Sequence, residues 1–201
     1  MARVAPTVRL ARAADIDELA QVLGRAFDDD PVMNHLITAR PVAPRAALLL
    51  GTIAKVHLAD GAVYVAEDPS TGAIVGGAIW APPDRWKTPL FDYVKHLPSV
   101  LRAVGLRGIS KISVLDAIER EHPTAPHYYL AVIGTDPAQQ GRGIGGALVA
   151  PILERCDTEG LPAYLESSKE SNVGYYARFR FEVTKPFTLK DGPPIWFMWR
   201  S

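Results

Sequence analysis

Residues 128–156 read YYLAVIGTDPAQQGRGIGGALVAPILERC, and the path of the chain through them decides the architecture. Tyr128 to Thr135 is apolar and β-rich, as a buried strand requires, and Gly143 to Glu159 has the pattern of a helix. Between them Gly141, Gly143, Gly145 and Gly146 crowd into one turn. Glycines there remove side chains, so that successive backbone N–H groups can face an anion. The helix starting at the same place adds the partial positive charge of its N-terminus. Gln140 and Arg142 flank the turn as polar and cationic supports, and a pyrophosphate is the expected guest.

Gly141, Gly143 and Gly146 also satisfy G-x-G-x-x-G, and Glu166 sits roughly where a ribose-binding acid would be expected. Three features argue against a dinucleotide fold. The segment DPAQQ separates the strand from the first glycine, the stretch after Gly146 is too short for the rest of a doubly wound sheet, and the chain upstream offers a hairpin where parallel crossovers are needed. A P-loop is excluded because no Gly-Lys-Ser/Thr follows. A ligand-free connection would not need so many glycines.

Outward from this stretch, the chain reads as mixed α/β without internal repeats. Val8 to Ala11 forms a first strand, and a helix opens at Asp15, where Asp15 and Glu18 have capping-box spacing. Ile16, Leu19, Ala20, Leu23 and Phe27 give that helix one apolar face. It ends in FDDDPV, either a solvated loop or one that draws a cationic ligand. A second helix covers residues 43–59, and Val63 to Glu67 with Ala73 to Trp80 form a hairpin about DPSTG. Residues 82–126 hold two helical segments, PLFDYVKHLPSVLRAVG and SKISVLDAIEREH, as a covering layer or as a wall of an acceptor pocket. PAYLESS is a buried strand, and FEVTKPFTL and PIWFMWRS are strands about the turn KDGPP. Pro151 removes an N–H inside the helix, beyond its phosphate end.

The 201 residues, 48% hydrophobic, suffice for one domain spanning 1–201. Lys plus Arg equals Asp plus Glu at 22 each, which leaves no electrostatic footprint for nucleic acid or an anionic membrane. The single cysteine, Cys156, excludes an internal disulfide framework and a cysteine-based zinc cluster, and is expected to be a buried helix residue. No metal is expected. There is no membrane-length apolar run and no signal peptide, so a cytoplasmic protein, monomer or homodimer, is expected.

Gln140-Gly141-Arg142-Gly143-Ile144-Gly145 resembles the Q/R-x-x-G-x-G/A signature of the GNAT superfamily of N-acetyltransferases. The order of features around it adds to the likeness: a strand with Asp-Pro before the signature, then a helix, AYLESS, Asn172 and YYARFRFEV. The chain from about His122 onward is especially similar to the puromycin N-acetyltransferase type, as is the N-terminal PTVRLA. The resemblance implies a mixed, mostly antiparallel central sheet with a splayed strand pair and flanking helices, with residues 127–181 as the acetyl-CoA-binding core and 82–126 as an acceptor-side segment. It implies that Ile133, Gly134 and Thr135 lie beside the pantetheine arm, that Gln140 to Gly146 hold the pyrophosphate, and that Asn172 contacts the co-substrate.

Acetyl transfer to an amine needs a neutral amine, a donor for the developing oxyanion and a proton for the leaving thiolate. In the fold that the resemblance implies, a backbone N–H near Ile133 or Gly134 is the expected oxyanion donor. Tyr176 matches the tyrosine of the family's FYxxxGF pattern and has a phenol proton to give; Tyr175 is the second choice, because Arg180 stands where the family usually has glycine. Glu166 is the candidate base, with Asp30, Glu121 and His122 as other possibilities. Trp80, Trp86 and Phe27 are candidates to wall the acceptor site. The expected activity is transfer of acetyl to a primary amine of a small molecule; the alternative is an inactive coenzyme A-binding sensor or partner domain.

Overall fold

A computed structural model of the chain describes residues 5–87, 96–105, 108, 111, 113–189 and 192–201. Strands β1 (Thr7–Leu10), β2 (Val63–Glu67), β3 (Ile74–Ala81), β4 (Tyr128–Thr135), β5 (Ala163–Ser167), β6 (Glu182–Thr188) and β7 (Pro194–Arg200) form one sheet in the order β1-β2-β3-β4-β5-β7-β6. Neighbours are antiparallel except β4 and β5, which run parallel. The expected mixed, mostly antiparallel sheet with a splayed pair is therefore present. The helices are α1 (Ile16–Ala26), α2 (Pro31–Leu36), α3 (Ala43–His57), α4 (Leu97–Val104), α5 (Ser113–Glu121), α6 (Ile144–Glu159) and α7 (Val173–Ala177). Parts of the two helical segments expected between 82 and 126 fall at 88–95, 110 and 112, outside the described residues, as do Lys190 and Asp191 of the expected KDGPP turn.

Helices cover both faces. Leu19 and Leu23 of α1 and Leu50 of α3 pack with Val65, Ile79 and Val132 on one side; Leu148 and Ile152 of α6 pack with Ala78, Trp80 and Leu130 on the other. Each such side chain contributes roughly 1.5–3 kcal/mol by leaving water. Central β3 is buried at all eight positions, which explains its unbroken apolar run, IVGGAIWA. Among the described residues, no helix is long and apolar enough to cross a membrane.

The capping box expected at α1 does not form. The Asp15 carboxylate accepts from the Arg9 guanidinium at 2.6 and 2.9 Å and from the Arg12 N–H at 2.6 Å. Glu18 accepts the Ile74 N–H at 2.9 Å. Both acids tie the start of α1 to the sheet.

The feature that positions the site is the short pairing of β4 with β5. Only Tyr128, Tyr129 and Leu130 pair, with Ala163, Tyr164 and Leu165. On the other edge, Ile79 pairs with Val132 but Trp80 with Leu130, so Ala131 is an extra residue in β4. Such a bulge bends its strand. Beyond it β4 runs on to Thr135 with no partner on the β5 side, while β5 turns away with β7.

Candidate active site

Successive residues of a strand turn their backbone groups to opposite edges. The Asp136 N–H donates to Val75 O at 2.9 Å, and Gly134 O lies against Gly76 of β3. The backbone groups of Gly134 therefore face β3, and those of Ile133 and Thr135 face the splayed edge. Of the two residues considered for the oxyanion donor, Ile133 has its N–H on the open side and Gly134 does not.

Past β4, Asp136 accepts the Ala138 N–H at 3.0 Å and binds Arg25 at 2.6 Å, which shapes the DPAQQ segment. Gly141 (φ 73°) and Gly143 (φ 79°) then take left-handed backbone, a conformation open to glycine at no steric cost. The first helical bond of α6 runs from the Ala147 N–H to Gly143 O. The N–H groups of Ile144, Gly145 and Gly146 precede it and have no acceptor within the helix. A cleft of about 570 Å³ opens here, lined by Ile133, Gly134, Thr135, Gln140, Gly141, Gly143, Ile144, Gly145, Asn172, Tyr175 and Tyr176 among others. Two expected residues do not line it. Arg142 turns its guanidinium to Gln139 and, at 3.5 Å, to Asp68, and Gly146 faces Phe179.

Tyr176 is buried at the wall of this cleft, and its phenol is raised above its ordinary value by burial, with the charge of Asp30 adding to the effect. Tyr175 packs edge-on against it at 5.3 Å, its buried hydroxyl against Gly145 and without a hydrogen bond.

A second cavity of about 670 Å³ follows along β4, beside Tyr129, Ala131 and Val132. Phe27, Met33, Leu50, Ile53 and Trp86 give it apolar walls, and Asp30, Glu119, His122 and Glu166 bring polar groups to it. Two aromatic candidates thus face the cavity. Trp80 does not: it is fully buried under α6, its indole N–H unpartnered. Asp30 is buried with both oxygens engaged, one by the Met33 N–H at 2.8 Å and one by the Ser168 hydroxyl. Glu121 pairs with Lys185 and does not reach the cavity. Glu166 Oε1 lies 3.4 Å from His122 Nδ1 without forming a hydrogen bond.

The model of the Acetyltransferase (GNAT) family matches residues 33–181, most of the chain. The chain belongs to that family. This GNAT chain is 29% identical over 186 residues to an uncharacterized N-acetyltransferase of Schizosaccharomyces pombe, covering 84% of this chain and 71% of the relative. It superposes with a TM-score of 0.75 on the structure of "histone acetyltransferase HPA2 and related acetyltransferase" from Corynebacterium glutamicum, at 27% identity over 98% of this chain and 96% of that one. Its fold is also that of a GNAT acetyltransferase from Brucella melitensis solved with acetyl-CoA, with a TM-score of 0.52 and 20% identity over 98% and 87% of the two chains.

GNAT enzymes use acetyl-CoA, and the residues here fit such a molecule: helical N–H groups without acceptors, a turn whose glycines stand at positive φ, and the open edge of β4 in one cleft. Among the described residues, no group of three or more His, Cys, Asp or Glu side chains is arranged to hold a metal ion. Cys156 is buried, its thiol pushed up to about 11 by desolvation.

One residue packed behind the site was not singled out from the sequence. His127 Nε2 lies 3.0 Å from His122 Nε2. The signal was HPTAPH, in which Pro123 and Pro126 favour a tight return that brings its two histidines together.

Proposed function

We propose that this GNAT protein transfers acetyl from acetyl-CoA directly to a primary amine of a small molecule. The observation that carries the reading is the pair of consecutive cavities along β4, one walled by Tyr176 and the other reached by Glu166. When bound, acetyl-CoA supplies the activated acetyl thioester. The N–H groups at the start of α6 hold its pyrophosphate, with Gln140 and Asn172 at the rim, and the β4 edge at Ile133 and Thr135 aligns the pantetheine. Ile133 N–H donates to the reacting carbonyl oxygen. Tyr176 gives its phenol proton to the departing thiolate, a role suited by burial that keeps the phenol protonated.

Glu166 takes the proton of the acceptor. An alkylamine of pKa ~10 is only about one part in a thousand neutral at pH 7, so a base close to the nitrogen is required. The apolar walls suit an amine carried on a hydrophobic body, with Asp30 and Glu166 drawing its cationic end inward. The likeness to the puromycin type belongs to this proposal for the co-substrate half; the acceptor follows from the cavity.

The test is thiol release from acetyl-CoA against a panel of alkylamines, arylalkylamines, aminonucleosides and lysine peptides. Saturable turnover with hydrophobic small amines is expected. Tight coenzyme A binding without turnover of any amine would favour the sensor reading instead.

A further inference from the structure

We propose that His122 shares with Glu166 the proton taken from the acceptor amine, and that His127 is a positioning residue that keeps His122 ready to receive it. This rests on the assignment of Glu166 as base and adds the apparatus behind it.

His127 Nδ1 lies 2.6 Å from Ala125 O. A carbonyl only accepts, so Nδ1 carries the hydrogen. His127 is buried, and desolvation holds its imidazole below its ordinary pKa, in the neutral form. Its Nε2 is then a lone pair, and the 3.0 Å contact with His122 Nε2 requires that His122 donate there. A neutral His122 with its hydrogen on Nε2 has a lone pair on Nδ1, the atom 3.4 Å from Glu166 Oε1. Carboxylate oxygen and imidazole nitrogen thus face each other as two acceptors, and Oε1 makes no hydrogen bond. With His122 neutral, the couple has room for one proton.

The acceptor's ammonium supplies it. Its N–H bond breaks, the electron pair stays on nitrogen for attack on the thioester, and the proton comes to lie between Glu166 Oε1 and His122 Nδ1. There it replaces an acceptor–acceptor contact by a charge-assisted hydrogen bond. The second proton, lost from nitrogen as the amide forms, restores to Tyr176 the one it gives the thiolate, and the first leaves to solvent through the cavity after transfer, so the balance needs no further reactant.

The surroundings hold His122 in place. Trp86 stacks on its ring at 3.6 Å, and Tyr129 and Tyr164 meet it edge-on at 4.7 and 4.8 Å. The other charged or titratable groups here are Asp30 and His57, the latter beside Asp60, Lys87 over Trp86, Glu119 beside Lys87, Glu121 paired with Lys185, and Asp84, whose charge acts on His127. Tyr164 is kept a neutral phenol by burial, by the charge of Glu166 and by the nearness of its hydroxyl to that carboxylate, though the two do not meet as a hydrogen bond.

The experiment is the pH profile of kcat and KM for Glu166→Gln, His122→Asn, His127→Phe and His127→Gln, with acetyl-CoA binding measured on each as a check of folding. His122→Asn is expected to lower kcat at neutral pH by about tenfold or more and to move the acidic limb to lower pH, because a carboxylate alone binds the proton less well. His127→Phe should lower kcat with little change in KM, since the Nε2 hydrogen of His122 loses its acceptor and the ring can turn its hydrogen to Glu166. His127→Gln supplies a carbonyl oxygen in that place and should restore the rate. In the unsubstituted protein, ¹⁵N NMR should find His122 protonated on Nε2 and His127 on Nδ1. Histidine variants with unchanged pH profiles beside a crippled Glu166→Gln would overturn the relay alone, as would the opposite tautomers. An active Glu166→Gln with an unchanged profile would overturn the assignment of Glu166, and the relay with it.

Discussion

Arg180 reaches Asp157 at 2.8 Å from a left-handed backbone, φ 66°, one turn beyond α7. The Phe181 N–H donates to Tyr176 O and the Arg180 N–H to Ala177 O. This paired pattern is the Schellman ending of a helix, in which the residue at Arg180 is ordinarily glycine. An arginine thus takes the glycine conformation, and the turn keeps the register that the glycine would give. Tyr176, whose carbonyl closes the motif, therefore keeps the place in the helix that a glycine at 180 would give it.

Replacing Arg180 separates its two effects. Left-handed backbone costs a non-glycine residue roughly 1–2 kcal/mol, whereas an exposed ion pair is worth about 0.2–1 kcal/mol. Arg180→Ala keeps the backbone cost and loses the pair; Arg180→Gly loses both. Arg180→Gly should be more stable than Arg180→Ala by about 1 kcal/mol in urea unfolding. Equal stabilities would mean that the turn relaxes once the arginine is gone.

At Gly143 the sequence argument, that a side chain would crowd the anion, meets a second reason. A Cβ built there has nothing within 4 Å, but φ is 79°. Gly143→Val would have to leave that conformation and re-aim the N–H groups of Ile144, Gly145 and Gly146. Calorimetric titration should show coenzyme A affinity down at least tenfold, with a stability loss of about 1–3 kcal/mol. Unchanged affinity would mean that the turn does not hold the pyrophosphate.

Local chemistry was legible in the sequence where it alone decides the outcome. Tyr128 to Thr135 has the bounds read from its apolar run, and Gly143 caps α6 because a left-handed residue is needed there. Side-chain direction was not legible where it depends on distant residues. Arg142 looked like an anion ligand until Asp68, from the β2–β3 turn, drew it away. Trp80 and Trp86 were equivalent as wall candidates, since only the packing of α6 over β3 buries one and leaves the other facing the cavity. Asp15 and Glu18 had the spacing of a capping box, but Arg9 and the Ile74 N–H compete for them across the sheet.

The two adjacent tyrosines should separate cleanly. Tyr176→Phe removes the proposed thiolate donor and should reduce kcat by roughly 10²–10⁴-fold with coenzyme A still bound. Tyr175 has a buried hydroxyl without a partner, and its phenol is raised by desolvation. Tyr175→Phe deletes an unsatisfied polar group and should leave stability unchanged or raised by about 1 kcal/mol, with activity retained. Steady-state kinetics and thermal unfolding on both variants decide the matter. Loss of turnover in Tyr175→Phe alone would exchange their roles.

Asp15 gives stability a pH dependence of known sign. The Arg9 guanidinium, more than any other group, holds its carboxyl down at about 2, with the Arg12 N–H adding to the effect against burial. Unfolded, the same group titrates near 3.9. Its folded value is the lower one, so the ion pair stabilises the fold fully above about pH 5, and the contribution fades as pH falls through 3.9 toward 2. The difference corresponds to at most about 2–3 kcal/mol. Asp15→Asn should therefore be less stable than the parent at neutral pH by up to that amount, and the gap should shrink to about a third by pH 2.5 and close toward pH 1. Urea unfolding of both proteins across this range is the measurement; a gap constant with pH would show that the loss does not come from the carboxylate's charge.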